Sequence, residues 1–383
     1  MSENKVMTIK VGKSPEVKIR IAGTGAATIN WDDGNETETH NLVPFEEDGN
    51  KINHSYSDEK NWYNVTITGE NITYLECVAG TVVKLDVSQN SALKVLRCAG
   101  KKLRALDVSQ NTALIWLDCS DNILKTLDVS NNTALIVLYC GNNHQIKTLD
   151  VSQNISLTVL KCNWSGLTTL DLSQNNVLKE ADCSSNKLTE LDVSQNVALT
   201  KLKCSSNDLM ELDVRQNIML TDLDCGYNQL TELDVSHNTA LTDLDCGYNQ
   251  LTELDVSNNP ALTKLYCKMK PTKEPDEITG ATMTMTTVAQ SDPEYFSLKR
   301  RHLIPPTVKF HLQGTGNVTI DWGNGLSKET VKLIKVTGRD DDLGASVFSD
   351  YYFSSPNTIT ITGENITHLH LGENEKSKIE NNE

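Results

Sequence analysis

Aromatic residues make up only 5% of this 383-residue chain and apolar residues 38%. Both values are low for a compact globule. Together with a net charge of −16, they fit either a disordered chain or a regular fold that reuses a small set of core residues. A basic excess is missing too: 35 Lys and Arg stand against 51 Asp and Glu. Nucleic acid and anionic lipid both need a basic footprint, so neither is an expected partner. No apolar run reaches the ~20 residues of a bilayer span, and no membrane insertion is expected. The start, MSENKVMTIK, has no apolar h-region and shows no signal peptide. There is no P-loop, dinucleotide fingerprint or nucleophile–base pair. The segments GTGAAT and GTGNVT read as turn glycines, since no helix follows them. Neither a cofactor nor a metal site is expected.

What the chain does have is order among its cysteines. The ten are Cys77, Cys98, Cys119, Cys140, Cys162, Cys183, Cys204, Cys225, Cys246 and Cys267. Every spacing is 21 except Cys140 to Cys162, which is 22, with the extra residue near His144. A fixed period in the ~20–50 range marks a solenoid. Each unit reads LxxLDVSxNxALxxLxCxxNx, as in LTELDVSQNVALTKLKCSSND over residues 188–208. Both halves of the unit fit LxxLx(apolar)xxN, which predicts a turn entering a short strand in each half. The Asn that follows each half has an amide that both donates and accepts, which suits it to a bend. Stacked rungs place the cysteines in one buried column, where cysteine behaves as a small apolar side chain. Cysteines one rung apart are slightly too far apart and wrongly aimed for a disulfide, so free thiols are expected.

The pattern resembles the leucine-rich repeat family, whose core is LxxLxLxxNxL, with cysteine in place of the third leucine. The 21-residue period and the cysteine column are similar to the cysteine-ladder internalins of bacteria. They are similar also to the LDVSxNxxLxxLxC proteins common in Bacteroides and its relatives. The resemblance implies a mostly β solenoid of the α/β-solenoid class with few or no α-helices. It also implies a non-enzymatic recognition protein that is secreted or displayed on the cell surface.

The flanks follow another pattern. VKIRIAGTGAATINWDDGNETE and HSYSDEKNWYNVTITGENIT precede the repeats, and VKFHLQGTGNVTIDWGNGLSKE and FSSPNTITITGENIT follow them. Alternating apolar positions with Gly and Asp turns predict antiparallel β structure. Gly23, Gly25, Trp31 and Gly34 match Gly314, Gly316, Trp322 and Gly325, an internal duplication. WDDG with HSYSxxxxxYxVTITG resembles the PKD-type β-sandwich, and WGNG in the second copy departs from it. We therefore expect a β-sandwich-like cap over 1–74, the solenoid over 75–270, a linker or C-terminal cap over 271–300, and a second β module over 301–383. TMTMTTV in the linker is a candidate closing strand.

Residues three before and one before each cysteine are expected to point outward. Along the first half these columns and their neighbours carry Val95, Trp116, Val137, Tyr139, Val159 and Trp164. Along the second half they carry Asp222, Asp224, Asp243 and Asp245, with Tyr227 and Tyr248 two residues after their cysteines. An exposed apolar strip with Trp and Tyr anchors is what protein interfaces use. The eight residues Val95, Trp116, Val137, Tyr139, Val159, Trp164, Tyr227 and Tyr248 are the candidate ligand-binding set. No catalytic residue is assigned. The expected partner is a protein, with a glycan second. The alternative is a glycan-binding protein or a polysaccharide-active solenoid enzyme using the four aspartates. The Asp of each LDVS segment, from Asp86 to Asp255, is expected to accept local backbone hydrogen bonds. His368 and His370 alternate on a predicted strand without a third ligand.

Overall fold

The computed structural model describes residues 5–12, 16–44, 49–56, 61–251, 253–262, 264–267, 281–287, 308–321, 329–333, 345–349 and 357–371; beyond 267 only the backbone strands are described. The PTKEPDE segment, the WGNG turn and the side chains of His368 and His370 lie outside this description. The described residues contain no α-helix. They fall into two units, 1–199 and 200–383.

In the first unit six strands precede the regular rungs: β1 (Val6–Gly12), β2 (Glu16–Asn30), β3 (Glu38–Asn41), β4 (Asn50–Ser55), β5 (Trp62–Ala79) and β6 (Val82–Asp86). Here β2 bonds to β3, β4 and β5, and β5 bonds on to β1, in one continuous antiparallel network. The long strands bend where the β2–β5 register shifts, between Ala22 and Gly23 and between Thr24 and Ala27. The GTGAAT glycines thus sit in a bulge within a strand, not in a connecting turn. A Cβ on Gly23 would overlap the Asn71 carbonyl, so the close approach needs glycine there. Met7, Ile9, Ile19, Ile21, Ile29, Tyr63, Val65 and Ile67 fill the core.

The last part of β5 is also the first rung. Tyr74, Leu75 and Glu76 pair in parallel with Val95, Leu96 and Arg97 of β7 (Val95–Arg97). Four further rungs follow in this unit: β8 (Trp116–Asp118), β9 (Val137–Tyr139), β10 (Val159–Lys161) and β11 (Glu180–Asp182), each parallel to the last. Both free edges of the coil are covered by the preceding strands. β2 lies antiparallel to the Tyr74–Ala79 segment of β5, and β1 lies antiparallel to β6, the first LDVS-type segment. An unpaired edge and an open core end are thereby both removed.

One rung shows why little apolar residue suffices. Leu124, Leu127, Val129, Leu135, Leu138 and Cys140 point inward and are buried. Two asparagines are buried with them. Asn143 donates its amide to the carbonyls of Cys119 and Cys140 and accepts from the Leu124 N–H at 3.0 Å. Asn132 donates to the carbonyls of Val108 and Asn111. The predicted strand in the LDVS half is a correction: only β6 and, in the second unit, β15 are strands there. Elsewhere the half is a stacked turn, because Val108–Asn111 and Asn111–Leu114 backbone bonds close it locally. Asparagine amides then supply bonds between rungs. The extra residue of the long unit forms a turn at His144–Gln145, and Ile146 takes the leucine position. Gly166, at φ 117°, lets the His144 carbonyl come close on the next rung.

The second unit repeats the coil with β12 (Lys201–Lys203), β13 (Asp222–Asp224), β14 (Asp243–Asp245) and β16 (Lys264–Tyr266) in parallel. Its last LDVS segment, β15 (Glu253–Val256), pairs in parallel with β17 (Ala281–Thr287), where TMTMTT lies. β17 then pairs antiparallel with β21 (Asn357–Leu371), which also pairs with β18 (Val308–Asp321). β18 carries β19 (Glu329–Leu333) and β20 (Ala345–Ser349) beside it.

Candidate functional site

Each rung strand is three residues long with the middle leucine or alanine buried. The flanking residues therefore face outward, and parallel register lines them up. In the first unit this row runs Val95, Trp116, Val137, Val159. Trp116 and Tyr139 meet edge to face with ring centroids 5.6 Å apart. The Arg97 guanidinium lies 4.9 Å over the Trp116 ring, and the Lys161 ammonium lies 4.8 Å over the Tyr139 ring. These side chains border a cleft of about 380 Å³ lined by Glu76, Val78, Arg97, Trp116, Asp118 and Tyr139.

The outward row is not uniformly exposed. Tyr74 is buried, and its hydroxyl donates to Glu76 at 2.7 Å. Burial and that bond push its pKa up to about 12. Val137 is buried as well, at 8% exposure, with Trp116 and Val159 beside it in register. The expectation that it forms part of an exposed strip is corrected: its larger neighbour covers it. Trp164 is 55% exposed but does not line the cleft. Sequence reasoning did not single out Arg97, Glu76 or Asp118 as site residues, although all three sit one position before a cysteine. It also passed over several exposed apolar residues. Ile115 and Ile136 adjoin Trp116 and Val137 and are exposed; Ile155, Val177 and Val197 are exposed too, at other positions of later units. For Ile115 and Ile136 the signal was present in the residue just after the Leu of the ALxxLxC half.

In the second unit Tyr227 and Tyr248 stack at 4.2 Å, and Tyr266 lies 6.2 Å from Tyr248. Gly247 makes room for Tyr266, whose ring would overlap a Cβ there. Trp164, Tyr227 and Tyr248 all have φ near +54°, in a column with Asp121, Asn142, Ser185 and Ser206. Left-handed backbone costs such residues roughly 1 kcal/mol. Asp222 and Asp224 pair in register with Asp243 and Asp245. Asp243 bonds to Lys264 at 3.1 Å, and Ser205 donates to Asp224 at 2.8 Å. Burial raises the Asp245 pKa to about 6, against the Gly247 N–H that donates to it, with Asp224 adding to the rise. The four aspartates thus lie together but are flanked by Lys201, Lys203 and Lys264, and no group of three or more His, Cys, Asp or Glu suited to a metal ion occurs among the described residues.

The two repeated columns are structural. All ten cysteines are buried and outside any disulfide, and burial raises the thiols of Cys77, Cys140 and Cys183 to about 12. Protonated thiols of this kind are poor nucleophiles and poor ligands. The LDVS aspartates accept from the residue two positions on, as Asp128 does from the N–H and hydroxyl of Ser130. These bonds hold Asp86, Asp107 and Asp128 below the usual carboxylate range.

Among solved structures the chain is similar to the functional domain of InlJ from Listeria monocytogenes, which includes a cysteine ladder. Identity is 43% over 52% of this chain and 44% of that one, with a TM-score of 0.50. Internalin C2 of L. monocytogenes str. 4b F2365 aligns at 17% identity over 44% of this chain and 78% of its own, with a TM-score of 0.42. The internalin inlF of the same strain aligns at 16% over 50% and 79%, with a TM-score of 0.33. The chain spans less than half the length of the InlJ structure. No family model and no curated protein matches it.

Proposed function

We propose that this cysteine-ladder leucine-rich repeat protein is a non-enzymatic binding protein that recognises a protein partner outside the cell through the outward sheet face of its first unit. The carrying observation is the cleft in which Arg97, Trp116 and Tyr139 pack together. Trp, Tyr and Arg are the residues that most often dominate binding energy, and they do so when clustered and partly desolvated. Ile115 and Ile136, exposed beside Trp116 and Val137, widen the apolar part of this surface beyond the cleft.

The test is a pull-down with the full chain from host or bacterial envelope material, followed by affinity measurement. Trp116→Ala with Tyr139→Ala is expected to weaken binding by at least tenfold, about 1.4 kcal/mol, with the melting temperature nearly unchanged. Unaltered affinity removes this face from the account. One observation favours a second reading. The stacked tyrosines beside Asp224 and Asp245 form a platform of the type that sugars use, and a carboxyl near pKa 6 suits an acid catalyst. A glycan screen scored for turnover separates the two, because the first reading predicts no turnover.

A further inference from the structure

We propose that the cleft of the first unit is an anion socket that takes one carboxylate, brought on an acidic side chain of the protein partner and gripped by Arg97. The proposal rests on the binding reading above and names the chemistry of its anchor.

Arg97 is half-buried, stacked on Trp116, and its guanidinium makes no hydrogen bond or ion pair among the described residues. The carboxylates beside it are differently placed. Glu76 accepts from the Tyr74 hydroxyl at 2.7 Å and pairs with Arg20 at 3.5 Å. Asp118 accepts from the hydroxyl and N–H of Ser120 at 2.6 and 3.2 Å. The acids of the cleft are satisfied by their own surroundings, and its guanidinium is not. A second donor is also unmatched: the Trp116 Nε1–H is buried without a partner. Lys101, which donates to the Val78 carbonyl at 3.3 Å, and Lys161 over Tyr139 bring two more cations to the rim. Arg20, Arg97, Lys101 and Lys161 thus stand around Glu76 and Asp118, with Asp182 in register beside Lys161, in a chain whose net charge is −16. The local balance has the opposite sign to the whole.

That inversion sets the ligand. A guanidinium fork matches a carboxylate with two parallel N–H···O bonds. Stacking on Trp116 fixes the plane of the fork in advance, which lowers the cost of ordering it. Glu76 and Asp118 sit close enough to penalise a doubly charged group, so a singly charged carboxylate fits better than a phosphate. The volume of about 380 Å³ suits a side chain and its immediate flanks, and Val78, Ala99 and Tyr139 offer apolar wall to the stem.

The experiment is an NMR titration of the full chain with N-acetylglutamate α-methylamide, whose only charge is the side-chain carboxylate, and, as the uncharged isostere, N-acetylglutamine α-methylamide. The indole N–H signal that disappears in Trp116→Phe is the reporter. Glutamate should move this signal in the millimolar range, glutamine should not, and Arg97→Gln should weaken the response at least tenfold while the rest of the spectrum stays native. Equal shifts from both probes, no shift, or a full response in Arg97→Gln overturns the proposal. An equal shift from inorganic phosphate at the same concentration overturns the assignment to carboxylate. The probe is a small molecule, so the result stands apart from the partner experiment: a partner that ignores Trp116 and Tyr139 leaves the titration unaffected, and a silent titration leaves that partner's binding intact.

Discussion

Asn143 does the work of several backbone bonds. It is fully buried, and its amide ties the carbonyls of Cys119 and Cys140 to the N–H of Leu124 on the neighbouring rung. Asn143→Ala leaves the Cys140 carbonyl and the Leu124 N–H unpaired, while the Cys119 carbonyl keeps the Asn122 amide, and we expect it to cost about 2–4 kcal/mol in urea unfolding. Asp245 argues in the other direction. Its folded pKa, about 6, is raised above the ordinary value. A carboxyl raised in this way favours the fold below its unfolded pKa and withdraws that support as pH rises to the folded value. Asp245→Asn keeps an acceptor for the Gly247 N–H and removes the charge. It should stabilise the protein by roughly 1 kcal/mol at pH 7.5, after allowance for solvent screening, and by almost nothing at pH 4. The role of the asparagines was readable from their amide and their place after each half-unit. The left-handed column was not, because only Gly100 in it is a glycine, and Trp164 or Tyr227 carries no mark of that backbone.

At the scale of the element, the cysteine column was legible because a fixed period needs no knowledge of packing. Its chemistry follows from burial. Ten thiols held protonated in the core should resist a thiol reagent at pH 8 in the native protein, and all ten should react once guanidinium unfolds it. Fewer than ten after unfolding would mean that some are bridged or modified. The LDVS half was misread as a strand because alternation of Leu, Val and polar residues has the same period in a strand and in a stacked turn of this type. What separates them is whether backbone or asparagine side chains bind the rungs, and only the structure shows that. Val137 was misplaced for a related reason: periodicity assigns a direction, and exposure then depends on the size of the neighbours.

For the whole molecule, the flanking strands matter through the edges they close. Residues 1–61 supply β1 and β2, which cover both edges of the first rung. A chain beginning at Trp62 should therefore form soluble aggregates on size-exclusion chromatography at concentrations where the full chain is monodisperse. A monodisperse truncated chain would show that the rungs tolerate an open end. That a cap precedes the repeats was readable from the direct run of the first module into Leu75 and Cys77. That one strand serves module and coil together was not, since β5 changes partners midway without a break in its alternation.

The turn at His144 and Gln145 carries a different consequence. Both residues are exposed, and the buried Ile146 resumes the leucine position beyond them. The coil has absorbed one added residue there without shifting any rung. This bend is consequently a natural graft point: a fluorophore, an affinity tag or a short foreign loop placed between His144 and Gln145 leaves the stacking on either side in phase.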